Sequence, residues 1–83
     1  YKLLTEFQGN FSNPIELEHM LSNVLKSIKK PNFLEREFAS TQFLMKLYFS
    51  KEGEELNFQK DNLLITIRYS KKSATQIKIY ETI

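Results

Sequence analysis

A chain of 83 residues, 41% hydrophobic and 13% aromatic, holds one small hydrophobic core, leaves no room for a second domain and is too apolar for disorder. The absence of cysteine removes disulfides and thiolate metal sites and points to a reducing compartment, intracellular and either cytoplasmic or membrane-peripheral. A net charge of +2 falls short of a nucleic-acid footprint, and no apolar run reaches the length that spans a bilayer.

The chain opens Tyr1-Lys2-Leu3-Leu4-Thr5-Glu6, with neither an initiator methionine nor a signal peptide, as expected of a domain excised from a longer protein. Leu3, Thr5 and Phe7 alternate with Leu4, Glu6 and Gln8, which predicts a strand over 2–8 and a turn at Gly9-Asn10. Asn13-Pro14-Ile15-Glu16 then supplies an N-cap, a proline at the first helical position and a glutamate able to reach back to a free amide. Leu17, Met20, Leu21, Val24 and Ile28 recur at helical spacing and predict one apolar stripe on a helix over 14–30. Glu16 and Glu18 fall in its first turn and Lys26, Lys29 and Lys30 in its last, as the macrodipole favours, and Pro31 ends it.

Beyond Pro31 the period becomes alternating. Phe43, Met45, Leu47 and Phe49 alternate with Leu44, Lys46 and Tyr48, which predicts a half-buried strand. Leu63, Ile65, Ile67 and Tyr69 alternate with Leu64, Thr66 and Arg68, and Ile77 and Ile79 with Lys78 and Tyr80. Two shorter strands are expected, one over 33–39, where a short helix is the rival, and one around 56–59. Polar turns lie at Lys51-Glu52-Gly53-Glu54, Lys60-Asp61-Asn62 and Ser70-Lys71-Lys72-Ser73. Strands joined by tight turns run antiparallel. The expected fold is therefore α+β, a single domain over 1–83. One N-terminal amphipathic helix packs on a curved antiparallel sheet of four to six strands, in the order β-α-β-β-(β)-β-β.

Few residues are suited to catalysis. His19 is the only histidine and falls on the polar side of the helix with Asn23 and Lys26, so no metal site is expected. Glu35 and Glu37 read as a solvated edge, and Glu52, Glu54 and Glu55 as a charged turn with nothing to raise a carboxyl pKa. The two glycines, Gly9 and Gly53, make no phosphate-cradling loop. The expectation is a non-enzyme without cofactor.

Two surface features remain. Lys26, Lys29 and Lys30, with Lys71 and Lys72, form a candidate anion-binding patch for phospholipid headgroups; dipole complementarity and a solvated turn account for the same residues. The sheet face away from the core is expected to show Leu44, Lys46, Tyr48, Leu64, Arg68, Lys78 and Tyr80. Tyr48, Arg68 and Tyr80 are its candidate partner-binding residues, for a protein chain or single-stranded nucleic acid. An ordinary solvated face explains them equally.

The run Glu6-Phe7-Gln8-Gly9-Asn10-Phe11-Ser12-Asn13-Pro14-Ile15-Glu16-Leu17, its capped helix and the hairpins after it are similar to the kinase-associated-1 domain and the related C-terminal domain of AMP-activated kinase α subunits. The resemblance implies a regulatory domain that binds anionic lipid or a kinase partner, with Lys26, Lys29, Lys30, Lys71 and Lys72 as the positions to suspect. Those families close with a second helix, where this chain has Ile79-Tyr80-Glu81-Thr82-Ile83. The element order also resembles the cystatin fold. That family's inhibitory hairpin carries Gln-x-Val-x-Gly, where this chain reads Ala39-Ser40-Thr41-Gln42-Phe43-Leu44, which argues against inhibition of papain-like proteases. The expected function is a non-catalytic regulatory module that binds a protein partner (a kinase or its own full-length chain) or an anionic membrane surface. The alternatives are nucleic-acid binding through the open sheet face and a structural or dimerisation role with no ligand.

Overall fold

The computed structural model describes residues 1–28, 40–60 and 62–82. Two compact units form, one from Tyr1–Phe11 with Ser50–Ile83 and the other from Ser12–Phe49. The class is α+β, and the order of described elements is β-α-α-β-β-β.

The second unit holds both helices. Helix α1, Pro14–Ser27, begins as its sequence dictates. Asn13 is extended (φ −156°), and its side-chain oxygen accepts from the Glu16 amide at 3.1 Å. The Glu16 carboxylate reaches back to the Ser12 amide at 3.1 Å rather than to the Asn13 amide expected of a capping box. Two of the unpaired amides of the first turn region are thereby satisfied. The helix ends at Ser27, where the Ile28 amide donates to the Val24 carbonyl at 3.1 Å. It is shorter than the expected 14–30, and Lys29 and Lys30 lie outside the described residues, as does the strand or helix expected over 33–39.

The buried stripe of α1 is Pro14, Leu17, Leu21 and Leu25. Met20, expected in the core, is 44% exposed, while Val24 and Ile28 are half-buried. The apolar positions of this helix are wide enough to fit two overlapping stripes. The one that wins follows the i, i+4 row through 17, 21 and 25, three leucines in register. His19, Asn23 and Lys26 are exposed, on the polar side where the pattern put them.

The strand expected over 43–49 is a helix, α2, Ser40–Tyr48, closed by the Phe49 amide donating to the Met45 carbonyl at 3.0 Å. Alternation at 44–49 also satisfies helical spacing, because Leu44 and Tyr48, and Met45 and Phe49, are four apart. Residue type decides between the two. From Gln42 to Phe49 there is no β-branched residue, and Leu, Met and Lys are good helix formers. Three of the four strands carry Thr5, Ile65-Thr66-Ile67, Thr75, Ile77 and Ile79, side chains stiff at χ1 and suited to a pleated surface; the fourth, Glu55–Lys60, has none and is held by its pairing with Leu63–Arg68.

The first unit is a four-stranded antiparallel sheet of order β1-β4-β3-β2, with β1 Lys2–Gly9, β2 Glu55–Lys60, β3 Leu63–Arg68 and β4 Thr75–Glu81. The short piece expected around 56–59 is the complete edge strand β2. The Lys51–Glu54 turn leads into it: the Glu54 amide donates to the Lys51 carbonyl at 3.0 Å, and Gly53 takes φ +80°. That positive φ at the third turn position is what a type II turn requires and what glycine supplies without strain.

Register sets the two faces. One carries the cross-strand rows Phe58–Ile65–Ile79–Thr5 and Leu56–Ile67–Ile77–Phe7. Its central isoleucines are at most 1% exposed, and burying a side chain of this size is worth about 1.5–3 kcal/mol. The pairing of β1 slips between Leu3 and Thr5, an edge-strand bulge of the kind that adds local twist.

Candidate partner-binding face

The other sheet face carries three rows. The first reads Leu3–Tyr80–Leu64–Gln59, the second Glu6–Lys78–Thr66–Asn57, and the third Gln8–Gln76–Arg68–Glu55. Leu64, Thr66 and Tyr80 are half-buried, while Glu6, Glu55, Arg68, Gln76 and Lys78 are exposed. Alternation put Arg68, Leu64, Lys78 and Tyr80 on one face, and the register brings them together there.

Tyr48 does not join them. With Leu44 and Lys46 it belongs to α2 in the other unit, where Tyr48 is 50% exposed. The face expected from these residues was drawn from a strand that is a helix.

Tyr1 takes a place that sequence reasoning did not assign. Its ring meets Tyr80 edge-on, with centroids 6.4 Å apart and planes at 69°, a favoured aromatic geometry. Its hydroxyl accepts from the Gln59 side-chain amide. Tyr80 is on β4 and Gln59 on β2, so Tyr1 reaches over β3 between them. No periodic signal marks a residue that precedes its strand.

The charges on this face are ordered. The cations Arg68 and Lys78 lie on the central strands β3 and β4, and the carboxylates Glu6 and Glu55 on the edge strands β1 and β2. Arg68 pairs with Gln76, and Lys78 is the next residue on that side of β4, which makes the two cations diagonal neighbours. Between them lies a depression of about 100 Å³ lined by Glu55, Thr66, Arg68, Gln76, Lys78 and Tyr80. A larger hollow of about 360 Å³ along β1 and β4 shares Gln76 and Lys78 with it.

The described lysines of the expected patch come from both units. Lys26 is in the helical unit and Lys71 and Lys72 in the sheet unit, all three exposed. The Ser70–Ser73 turn already holds an anion. Glu52 accepts from the Ser70 hydroxyl and, at 3.3 Å, from the Lys71 amide. The Ser70 oxygen in turn accepts from the amides of Lys72 at 3.2 Å and Ser73 at 2.9 Å. The Ser70 hydroxyl, then the Lys71 amide, hold the Glu52 carboxyl below the ordinary value of 4.5, since hydrogen bonds to a carboxylate favour its charged form.

Among the described residues no group of three histidine or carboxylate side chains stands together as metal ligands. No helix among them is long and apolar enough to cross a membrane. No protein-family model, curated protein or solved structure matches the chain.

Proposed function

We propose that the chain is a non-catalytic interaction module that binds a protein partner through the exposed face of its four-stranded sheet. The supporting observation is the centre of that face. There the half-buried Thr66 and Tyr80 adjoin Arg68 and Lys78 around a shallow concavity, and the half-buried Leu64 is the cross-strand partner of Tyr80. An apolar and aromatic centre with an arginine and a polar surround is the usual make-up of a protein-binding patch. The depression is too small and too polar for a buried small-molecule substrate.

The anionic-membrane reading draws less support. The Lys71-Lys72 turn carries the Glu52 carboxylate against it, which offsets part of the attraction two lysines would have for a lipid surface.

A photocrosslinking amino acid placed at Gln76 tests the partner reading in cells of the native source. The expected result is a discrete crosslinked protein from position 76, absent from position 71, and lost in Tyr80→Ala at an unchanged unfolding midpoint. Equal crosslinking from both positions, or persistence in Tyr80→Ala, overturns it.

A further inference from the structure

We infer that the concavity between Arg68 and Lys78 receives the carboxylate of an acidic peptide segment, which rests on the partner reading above and names the chemistry of that partner. Neither cation has a side-chain hydrogen bond or ion pair within the described residues, although each has a carboxylate in its own cross-strand row. Arg68 stands opposite Glu55, and Lys78 opposite Glu6. Among the described residues the Arg68 fork and the Lys78 ammonium thus have no competing side-chain partner, and they flank one depression whose lining, Glu55 apart, adds the hydroxyls of Thr66 and Tyr80 and the Gln76 amide. These are donors, and a carboxylate is acceptor-only with about four lone-pair sites. Arginine with a carboxylate is the strongest of the pairings on offer, two-pronged and charge-assisted.

The edges of the face decide what kind of anion fits. Glu6 on β1 and Glu55 on β2 bracket the cations on both sides. A nucleic-acid backbone carries a phosphate at every step and gains affinity by neutralising several of them; crossing this sheet it would meet two cations and two carboxylates. A peptide has charge only where a side chain supplies it. One acidic residue over the centre, with neutral or basic neighbours over the edges, matches the sequence negative, positive, positive, negative across the four strands.

Panning a phage-displayed random peptide library against the 83-residue chain, followed by titration of the enriched peptides, tests the assignment. Enriched sequences should contain aspartate or glutamate. Their affinity should fall about tenfold or more in Arg68→Gln and in Lys78→Gln, the size of one lost charge-assisted hydrogen bond, and should hold in Lys71→Gln. Both cations are exposed, so unfolding midpoints should not move and the loss reads as binding. Peptides without acidic residues that lose binding in Tyr80→Ala but not in Arg68→Gln would overturn the carboxylate and leave the face as a protein-binding site. Peptides indifferent to all of these substitutions would overturn the face as well. Oligothymidylate binding that depends on Arg68 and Lys78, with no peptide enriched, would overturn the peptide in favour of nucleic acid.

Discussion

The Lys71 amide donates to the Glu52 carboxylate at 3.3 Å, tying the turn before β2 to the turn between β3 and β4. With the Ser70 hydroxyl on the same carboxylate, the interaction needs the charged form, and the Glu52 carboxyl titrates below 4.5 in the folded chain. A depressed folded-state value contributes stability above the unfolded pKa, and the contribution is lost as pH falls through the folded one. Glu52→Gln should lower the unfolding midpoint at neutral pH and remove part of the decline with acidification below 4.5. The two proteins should converge at the acid end. Thermal unfolding of both along a pH series measures this, and parallel curves would show that the tether contributes nothing.

The sheet was legible where strands are rich in β-branched residues and flanked by polar turns, as at Leu63–Arg68 and Thr75–Glu81. The start of α1 was legible because Asn13, Pro14 and Glu16 each act on the backbone locally. The segment 43–49 reads as a strand because alternation and helical spacing coincide at 44, 45, 48 and 49, and only its helix-forming Leu, Met and Lys, with no β-branched residue among them, favour the helix. That one element takes Tyr48 off the sheet and replaces an expected strand with a helix in the element order. The diagonal placement of Arg68 and Lys78 depended on register, which strand pairing sets and no single segment encodes.

The helical state of 40–48 has a direct test at Met45, which is 52% exposed and so reports backbone preference more than packing. Alanine is the best helix former and valine among the poorer, by up to about 0.7 kcal/mol, whereas valine is favoured in strands. Met45→Ala should therefore leave a more stable protein than Met45→Val. Denaturant unfolding of the pair gives the sign, and the reverse order would return the segment to a strand.

On α1 the leucine row keeps Leu21 of the expected stripe and drops its neighbour Met20. Leu21 is fully buried and Met20 is 44% exposed. Leu21→Ala should cost about 2–5 kcal/mol through the cavity it opens, and Met20→Ala should stay within about 0.5 kcal/mol of the parent. Asn13→Ala, which removes the acceptor of the Glu16 amide, should cost roughly 0.5–2 kcal/mol. Equal losses at 20 and 21 in urea unfolding would mean that the helix is rotated from the face described.

Ile65 and Ile79 are direct cross-strand partners on the buried face, both fully buried, with Phe58 on the far side of Ile65. Ile65→Val and Ile79→Val should each cost about 0.5–1.5 kcal/mol. Because the two side chains are directly opposed on one face, the gaps left by the double substitution should merge, and its cost should depart from the sum by about 0.5 kcal/mol or more. Phe7 supplies the control. It lies in the neighbouring row, and on β1, two strands from β3, a separation at which independent sites add within about 0.3–0.5 kcal/mol. Denaturant unfolding of Ile65→Val combined with Phe7→Leu should therefore give the plain sum. Additivity in the isoleucine pair together with coupling to Phe7 would mean that β3 and β4 pair in a different register. A one-residue slip there would turn one of the two strands over, place Arg68 and Lys78 on opposite faces and dismantle the proposed carboxylate site.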